Sequence, residues 1–357
     1  MAQINRPTDY FNTLTWTGNA TDNRAITGVG FQPDFTWIKS RSNAQDHALF
    51  DSTRGANKQL VSSSTGAEAT RTDMLKSFDS DGFTLGDDQT GASVNYNGYT
   101  YVGWLWKGGG TASSNTDGSI TSSVSASTTS GFSIVSWTGN GSNGATIGHG
   151  LGTTPAIVIT KRLNSTGDWQ IGGSLIDTVR GGANSLLLLN TTAAMDSNSE
   201  VYQTFSSTTF QVGVNASINT NGGTLISYCF TDVQGYSKFG SYKGNGNANG
   251  SFIYTGFKPA FTLIKRTDSA TGGSWILFDN KRGTNVINPV DVVMAASNDQ
   301  SEADWGTAYD CDYLSNGFKW RMDGTGGYNN TSGATYIYMA FAENPFVASN
   351  FVPATAR

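Results

Sequence analysis

The chain is short of the residues on which most site chemistry depends. Its 357 residues include two cysteines, two histidines and seven prolines, and only 14% are Asp, Glu, Lys or Arg. Glutamate is confined to Glu68, Glu200, Glu302 and Glu343. A Cys/His zinc site fails on ligand count, and Cys229 and Cys311 read as two free thiols. A serine triad needs a histidine placed as a base, whereas His47 and His149 have no counterparts elsewhere in the chain and read as surface or loop residues. Net charge is −5 with dispersed basic residues, which argues against a nucleic-acid partner. No apolar run reaches the ~18 residues of a membrane span, so no membrane insertion is expected. The N-terminus carries no apolar signal segment, and no heptads appear. No cofactor or metal is indicated; Gly108-Gly109-Gly110 follows no phosphate-loop pattern.

What is abundant is glycine, 44 residues, with Ser, Thr, Asn and 12% aromatics. This composition predicts an all-β chain rich in tight turns. Short helical turns are expected near Ala67–Ser77 and Asn298–Trp305. The chain also repeats itself. Asp51-Ser-Thr-Arg54-Gly55, Asp177-Thr-Val-Arg180-Gly181 and Asp279-Asn-Lys-Arg282-Gly283 share one word. Each follows an aromatic strand ending in Gly-Asn (Gly18-Asn19, Gly139-Asn140, Gly244-Asn245) and a strand running from Pro33, Pro155 or Pro259 to Lys39, Lys161 or Lys265. Hairpins at Asp81-Gly82 and Asn316-Gly317 call for positive φ, and Phe205–Phe210, lacking glycine, calls for another turn type. Alternating strands from Thr100, Thr224 and Thr335 close the units.

Three tandem antiparallel β-sandwich units are therefore expected, at 10–107, 132–234 and 235–346. A 1–9 arm precedes them and a 347–357 tail follows. Residues 108–131 are a flexible linker by composition; Ile120, Val124 and Phe132 instead suit an extended arm packed on a neighbouring unit. Units two and three meet at Gln234-Gly235 without a spacer and should pack rigidly.

Asp51, Arg54, Asp177, Arg180, Asp279 and Arg282, with Glu68, Glu200 and Glu302 at similar places, form a recurring charged set. One reading is a polar ligand site, with arginine forks and carboxylates meeting sugar hydroxyls. The other, which better explains its recurrence, has Asp capping a turn and Arg clamping a loop. Trp169, Trp275 and Trp305 sit beside loop-like residues and suit stacking on a sugar, an interface or the core. Asp79-Ser-Asp81-Gly82 opens like a calcium loop but lacks the later ligands, so a plain hairpin is expected. No carboxylate pair is singled out as in a glycosidase.

Gly30-Phe31-Gln-Pro33-Asp-Phe35-Thr-Trp-Ile38-Lys39, Phe50-Asp51-Ser-Thr-Arg54-Gly55, Ser80-Asp-Gly82-Phe83 and Tyr101-Val-Gly103-Trp104 together resemble a repeat of marine bacteriophage virion proteins. The resemblance covers about residues 10–346; unit three matches with Gly256-Phe257-Lys-Pro259-Ala-Phe261, while unit two departs. It implies a concanavalin A-like, lectin-type or jelly-roll sandwich, and residence in the virion with other tail or capsid proteins as partners. The expected function is a non-enzymatic short tail fibre or fibre tip binding host-surface glycan. A capsid decoration, cement or head-fibre protein is the alternative, and a glycan-active hydrolase a further one. A homotrimer is expected by analogy.

Overall fold

The computed structural model describes residues 3–283, 288–304, 309–325 and 328–347. The chain is all-β, built of several antiparallel sheets. The same strand order recurs three times. In unit one the large sheet runs Phe11–Thr17, Thr100–Trp106, Phe35–Ser40, Ala48–Asp51. In unit two it holds Phe132–Thr138, Thr224–Phe230, Ile157–Arg162 and Gln170–Gly172 in that order, and in unit three Ser237–Lys243, Thr335–Pro345, Phe257–Arg266 and Trp275–Asp279. Each unit adds a three-stranded sheet: Arg24–Thr27, Gly82–Leu85 and Leu75–Asp79 in the first, with Ala145–Gly148, Thr209–Val212, Tyr202–Phe205 and Phe252–Tyr254, Gly317–Trp320, Cys311–Leu314 in the others.

The proline-led strands are buried on both faces, as their apolar runs require. One face looks outward to the unit's own small sheet. Ile38, Phe50, Tyr101 and Leu105 meet Ile26, Leu75, Phe83 and Leu85 in unit one, and separate clusters do the same in the other units. The opposite face looks inward. Phe35, Trp37, Leu49 and Trp104 share a single cluster with Ile157, Ile159, Ile171 and Tyr228 and with Phe261, Leu263, Leu277 and Met339. The three large sheets thus close a ring about a common core. Aromatic contacts cross every junction: Phe35 to Tyr228 with centroids 4.4 Å apart, Trp104 to Phe261 at 5.6 Å, Phe230 to Phe341 at 6.0 Å. A void of about 20 Å³ remains on the axis, lined only by apolar side chains. All three units, not only the second and third, are therefore locked together.

Residues 108–131 are no free linker. Ser113–Asn115 and Ser122–Ser127 extend the unit-two sheet beyond Phe132–Thr138, and Ile120 and Val124 are buried. The helices lie elsewhere than expected. Ala69–Thr70, Leu75–Asp79 and Ala303–Asp304 are strands, whereas Ser174–Arg180 and Ala216–Asn219 are helical. The hairpin glycines also differ in their reason. Gly82 does take a positive φ of 150°, but Gly317 does not. A Cβ on either would lie 1.9–2.0 Å from a carbonyl of the adjacent strand, Ile26 or Ile253, so close approach selects glycine at both. Among the described residues no helix is long and apolar enough to cross a membrane.

Candidate functional site

The recurring polar residues concentrate at the junctions between units. Each junction uses the same offsets. Trp169 of unit two donates its indole N–H to Val61 O of unit one at 2.9 Å, and Trp275 of unit three donates to Leu188 O of unit two at 2.8 Å. His47 of unit one closes the ring, its Nε2 3.0 Å from Ala295 O of unit three. Val61, Leu188 and Ala295 each follow a residue of the central core (Leu60, Leu187, Met294). His47 is thus the counterpart of the two tryptophans, and it is fully buried, as is His149. The reading of both as surface or loop residues is corrected. Trp37 donates to His47 Nδ1 at 2.9 Å, so the ring proton sits on Nε2. Burial, with Lys39 nearby, depresses its pKa to about 3.

The strand-end lysines follow the same cycle. Lys161 Nζ reaches Thr65 O of unit one at 2.9 Å, and Lys265 Nζ reaches Thr192 O of unit two at 2.9 Å. Lys39 bonds Ser40 O at 3.0 Å and feels the charge of Asp299, which stands where Thr65 and Thr192 stand in the other junctions. Burial lowers their pKa values, to about 8 for Lys39 and Lys161 and about 7 for Lys265.

The Asp-x-x-Arg words of units one and three form buried clamps. Asp51 Oδ1 accepts the Arg54 backbone N–H at 2.9 Å and its Oδ2 accepts Arg54 Nε at 2.5 Å. Arg54 also donates to Lys58 O and Glu68, and Tyr228 of unit two donates to Asp51 at 2.7 Å. Burial opposes the charge on Arg54, but Asp51, Tyr228 and Glu68 outweigh it and raise its pKa. Asp279 and Arg282 repeat this geometry, with Trp104 of unit one donating to Asp279 at 2.9 Å and Glu302 3.5 Å from Arg282. Glu302 also takes a bidentate pair from Arg41 of unit one at 2.8 and 2.9 Å.

Unit two has no such clamp, and the alignment of Asp177 with Asp51 is corrected. Asp51 pairs with Phe35 and Asp279 with Phe261, whereas in unit two Val158 pairs with Gly172, and that register carried one residue on sets Gly173 beside Ile157. Asp177 lies one helical turn further on, in Ser174–Arg180, where it accepts the Ser185 N–H; Arg180 is exposed and forms no ion pair among the described residues. The counterpart of Arg54 is Ile176, fully buried in the shared core. The counterpart of Glu68 and Glu302 is Met195, not Glu200. All three donate their backbone N–H two residues beyond the strand lysine, to Leu163, Arg41 and Thr267. The position of the donors Tyr228 and Trp104 is held by Met339, by the same cross-strand register. Every polar member has an apolar replacement at one junction.

One repeated feature was missed. Asn95, Asn219 and Asn330 stand five residues before Thr100, Thr224 and Thr335, and all are fully buried. Each Oδ1 accepts the N–H of the Gly-Asn turn's asparagine, and each Nδ2 binds two or more carbonyls from other loops. A Cβ on Gly18, Gly139 or Gly244 would lie 2.1–2.4 Å from the carbonyl next to that asparagine. The fixed five-residue spacing was the available signal.

Trp169 and Trp275 are fully buried, and Trp305 lies outside the described residues, as does most of the 347–357 tail. The Asp79/Asp81 hairpin satisfies its carboxylates with Ser77, Thr84, Gly28 and Gly30. Residues 6–345 match a family described as a domain of unknown function, DUF7483. The chain belongs to the DUF7483 family. No curated protein and no solved structure matches it.

On the surface of this DUF7483 chain the units diverge. At the positions where unit three has Phe252 and Tyr254 on the first small-sheet strand, unit one has Ala25 and Thr27, and unit two has Thr146 and a Gly148 that is buried under Asn115. Phe252 and Tyr254 are 46% and 60% exposed. Beside Tyr254 runs a groove of about 430 Å³, bordered by Gln3, Asp232, Gln234, Lys238 and Thr255.

Proposed function

We propose that this chain is a non-enzymatic surface protein of a bacteriophage particle, acting as a short tail fibre or fibre tip that attaches to host-surface glycan. The observation that carries the reading is the distribution of what the repeat retains. Its shared polar residues lie inside, the strand-end lysines bonding backbone across two of the junctions and the asparagines bonding loops within each unit, while its outer faces have diverged. Such a body is a rigid scaffold for presentation. The resemblance to virion repeats supplies the particle, and a large sheet packed on a small one in each unit suits a lectin-type sandwich. A hydrolase would need two free carboxylates across a cleft. Asp51 and Glu68 are instead paired to Arg54, and Asp279 and Glu302 to Arg282.

A capsid decoration or cement role is the second reading. It is favoured by the ring itself, whose internal threefold arrangement suits a seat on a threefold position of a shell. Immunogold labelling of intact particles with antibody to the purified protein tests both. Gold at the tail is the expected result, gold over the head would select decoration, and unlabelled particles would overturn the virion assignment.

A further inference from the structure

The exposed pair Phe252 and Tyr254 is the part of the outer surface that the fold does not explain. Among the described residues Val214, Phe252 and Tyr254 are the large apolar side chains that stand exposed. Ile253 between the two rings points inward and is buried, so both rings leave the same face of an edge strand, about 7 Å apart by strand geometry. Phe252 leans over Gly317, which pairs with Tyr254, and the Tyr254 ring lies against Gly256. Both rings stand exposed beside glycine backbone.

The adjoining groove mixes polar side chains with the apolar Phe346 and Val347, and it is nearly neutral in charge. Asp232 and Lys238 pair with each other, and Asp232 also accepts the Phe239 N–H at 2.7 Å. The Gln234 amide and the Tyr254 hydroxyl have no partner among the described residues. Two rings are far too small an apolar area for a stable protein interface, which covers roughly 800 Å² on each partner. The paired charges leave no net field to hold a phosphate or a nucleic acid. A ligand that offers apolar ring faces and hydroxyls, and no charge, fits both halves of the surface.

We propose that Phe252 and Tyr254, with Gln234 and the groove beside them, form a binding platform for a neutral saccharide, present once per chain in unit three. Two successive sugar rings would stack on Phe252 and Tyr254, with their hydroxyls turned to Gln234, Thr255 and the Asp232–Lys238 pair. The inference rests on the glycan-attachment reading above and gives it a place.

The test is a screen of the full-length protein on an array of neutral hexose and deoxyhexose oligosaccharides, followed by titration of the best binder into wild type, Phe252→Ala/Tyr254→Ala, Gln234→Ala and Thr27→Tyr. Both rings are exposed, so the double variant should keep the wild-type melting temperature. It should bind at least about tenfold more weakly. Gln234→Ala should show a smaller loss, and Thr27→Tyr, at the matching place in unit one, no loss. Unchanged binding by the double variant would overturn the site, as would a change in its oligomeric state, which would make the rings a self-contact. A wild-type protein that binds no neutral saccharide would also overturn it. Tail labelling together with adsorption of the purified protein to host cells would in that case leave attachment standing, with another receptor.

Discussion

At the scale of single residues, the junctions explain which polar groups matter and predict unequal effects for three arginines that look alike in sequence. Arg54 and Arg282 are buried in ion pairs, so Arg54→Ala and Arg282→Ala each strand a buried carboxylate and should cost roughly 3–5 kcal/mol. Arg180 is exposed and unpaired among the described residues, and Arg180→Ala should stay within about 0.5 kcal/mol. Urea denaturation of the three variants separates them; equal losses would mean that the word in unit two has a role its position does not show. Unit two adds a sharper case. Its junction with unit three holds Gly173, Ile176, Met195 and Met339 where the clamp has Asp, Arg, Glu and a donor. Installing that set at the junction of units one and two (Asp51→Gly, Arg54→Ile, Glu68→Met, Tyr228→Met) should therefore cost less than Arg54→Ala alone, because the whole charged group leaves together. A double-mutant cycle between Arg54 and Asp51 measures the coupling.

His47 brings a pH dependence at the same scale. Its folded pKa is about 3 and its ordinary value about 6.5, so the unfolded chain binds more protons between them. The stabilisation is complete above about pH 6.5 and is lost as pH falls, by ~2 kcal/mol at pH 5. The cause is burial first and the neighbouring Lys39 second, in a site where a proton on Nδ1 would also face the Trp37 N–H. In His47→Gln the drop in urea midpoint between about pH 7 and 5 should shrink. A drop equal to that of wild type would assign the acid sensitivity to carboxylates. None of this was legible in the sequence, since a histidine opposite two tryptophans shares no residue type with them. Only the common backbone position reveals the match.

At the scale of elements, the repeated strands were readable because alternation, proline and lysine recur at constant spacing. The Asp-x-x-Arg-Gly word misled because unit two carries the same letters one helical turn later, and only strand register distinguishes the copies. The asparagine staples escaped notice because a lone polar residue before a strand looks like any loop residue. Each bonds loops that no strand ladder holds, so Asn95→Ala, Asn219→Ala and Asn330→Ala should each cost about 1–3 kcal/mol. Differential scanning calorimetry reads this directly, and wild-type stability in all three would make the staples redundant. The arm at 108–131 behaves as a strand pair despite linker-like composition, because Ile120 and Val124 find a covered face. Replacing Thr111–Ser127 with Gly/Ser of equal length should remove roughly 1.5–3 kcal/mol for each of the two side chains. It should also bare the Phe132–Thr138 edge to aggregation. Light scattering on heating tests this, and an unaltered profile would restore the linker reading.

At the scale of the whole molecule, three units in one chain already form the threefold object that an analogy with phage fibres would build from three chains. We therefore expect a monomer of 37.8 kDa, measured by light scattering on a sizing column, rather than three times that mass. The homotrimer expected by analogy would require a further interface. The large shared core also means that a unit cut from the ring would expose its inward face, so an isolated 10–107 fragment should not fold cooperatively.

The ring closes late. Arg41 meets Glu302 across 261 residues of chain, and His47 waits for Ala295 across 248. At ribosomal rates of ~5–20 residues per second, the N-terminal third spends roughly 13–50 s with its receiving edge unfilled. Throughout that time it offers an unsatisfied histidine, a lysine that will later be buried, and half of an apolar core. Synthesis of the last strands, rather than completion of any one unit, is the moment at which the nascent chain becomes safe from misassembly.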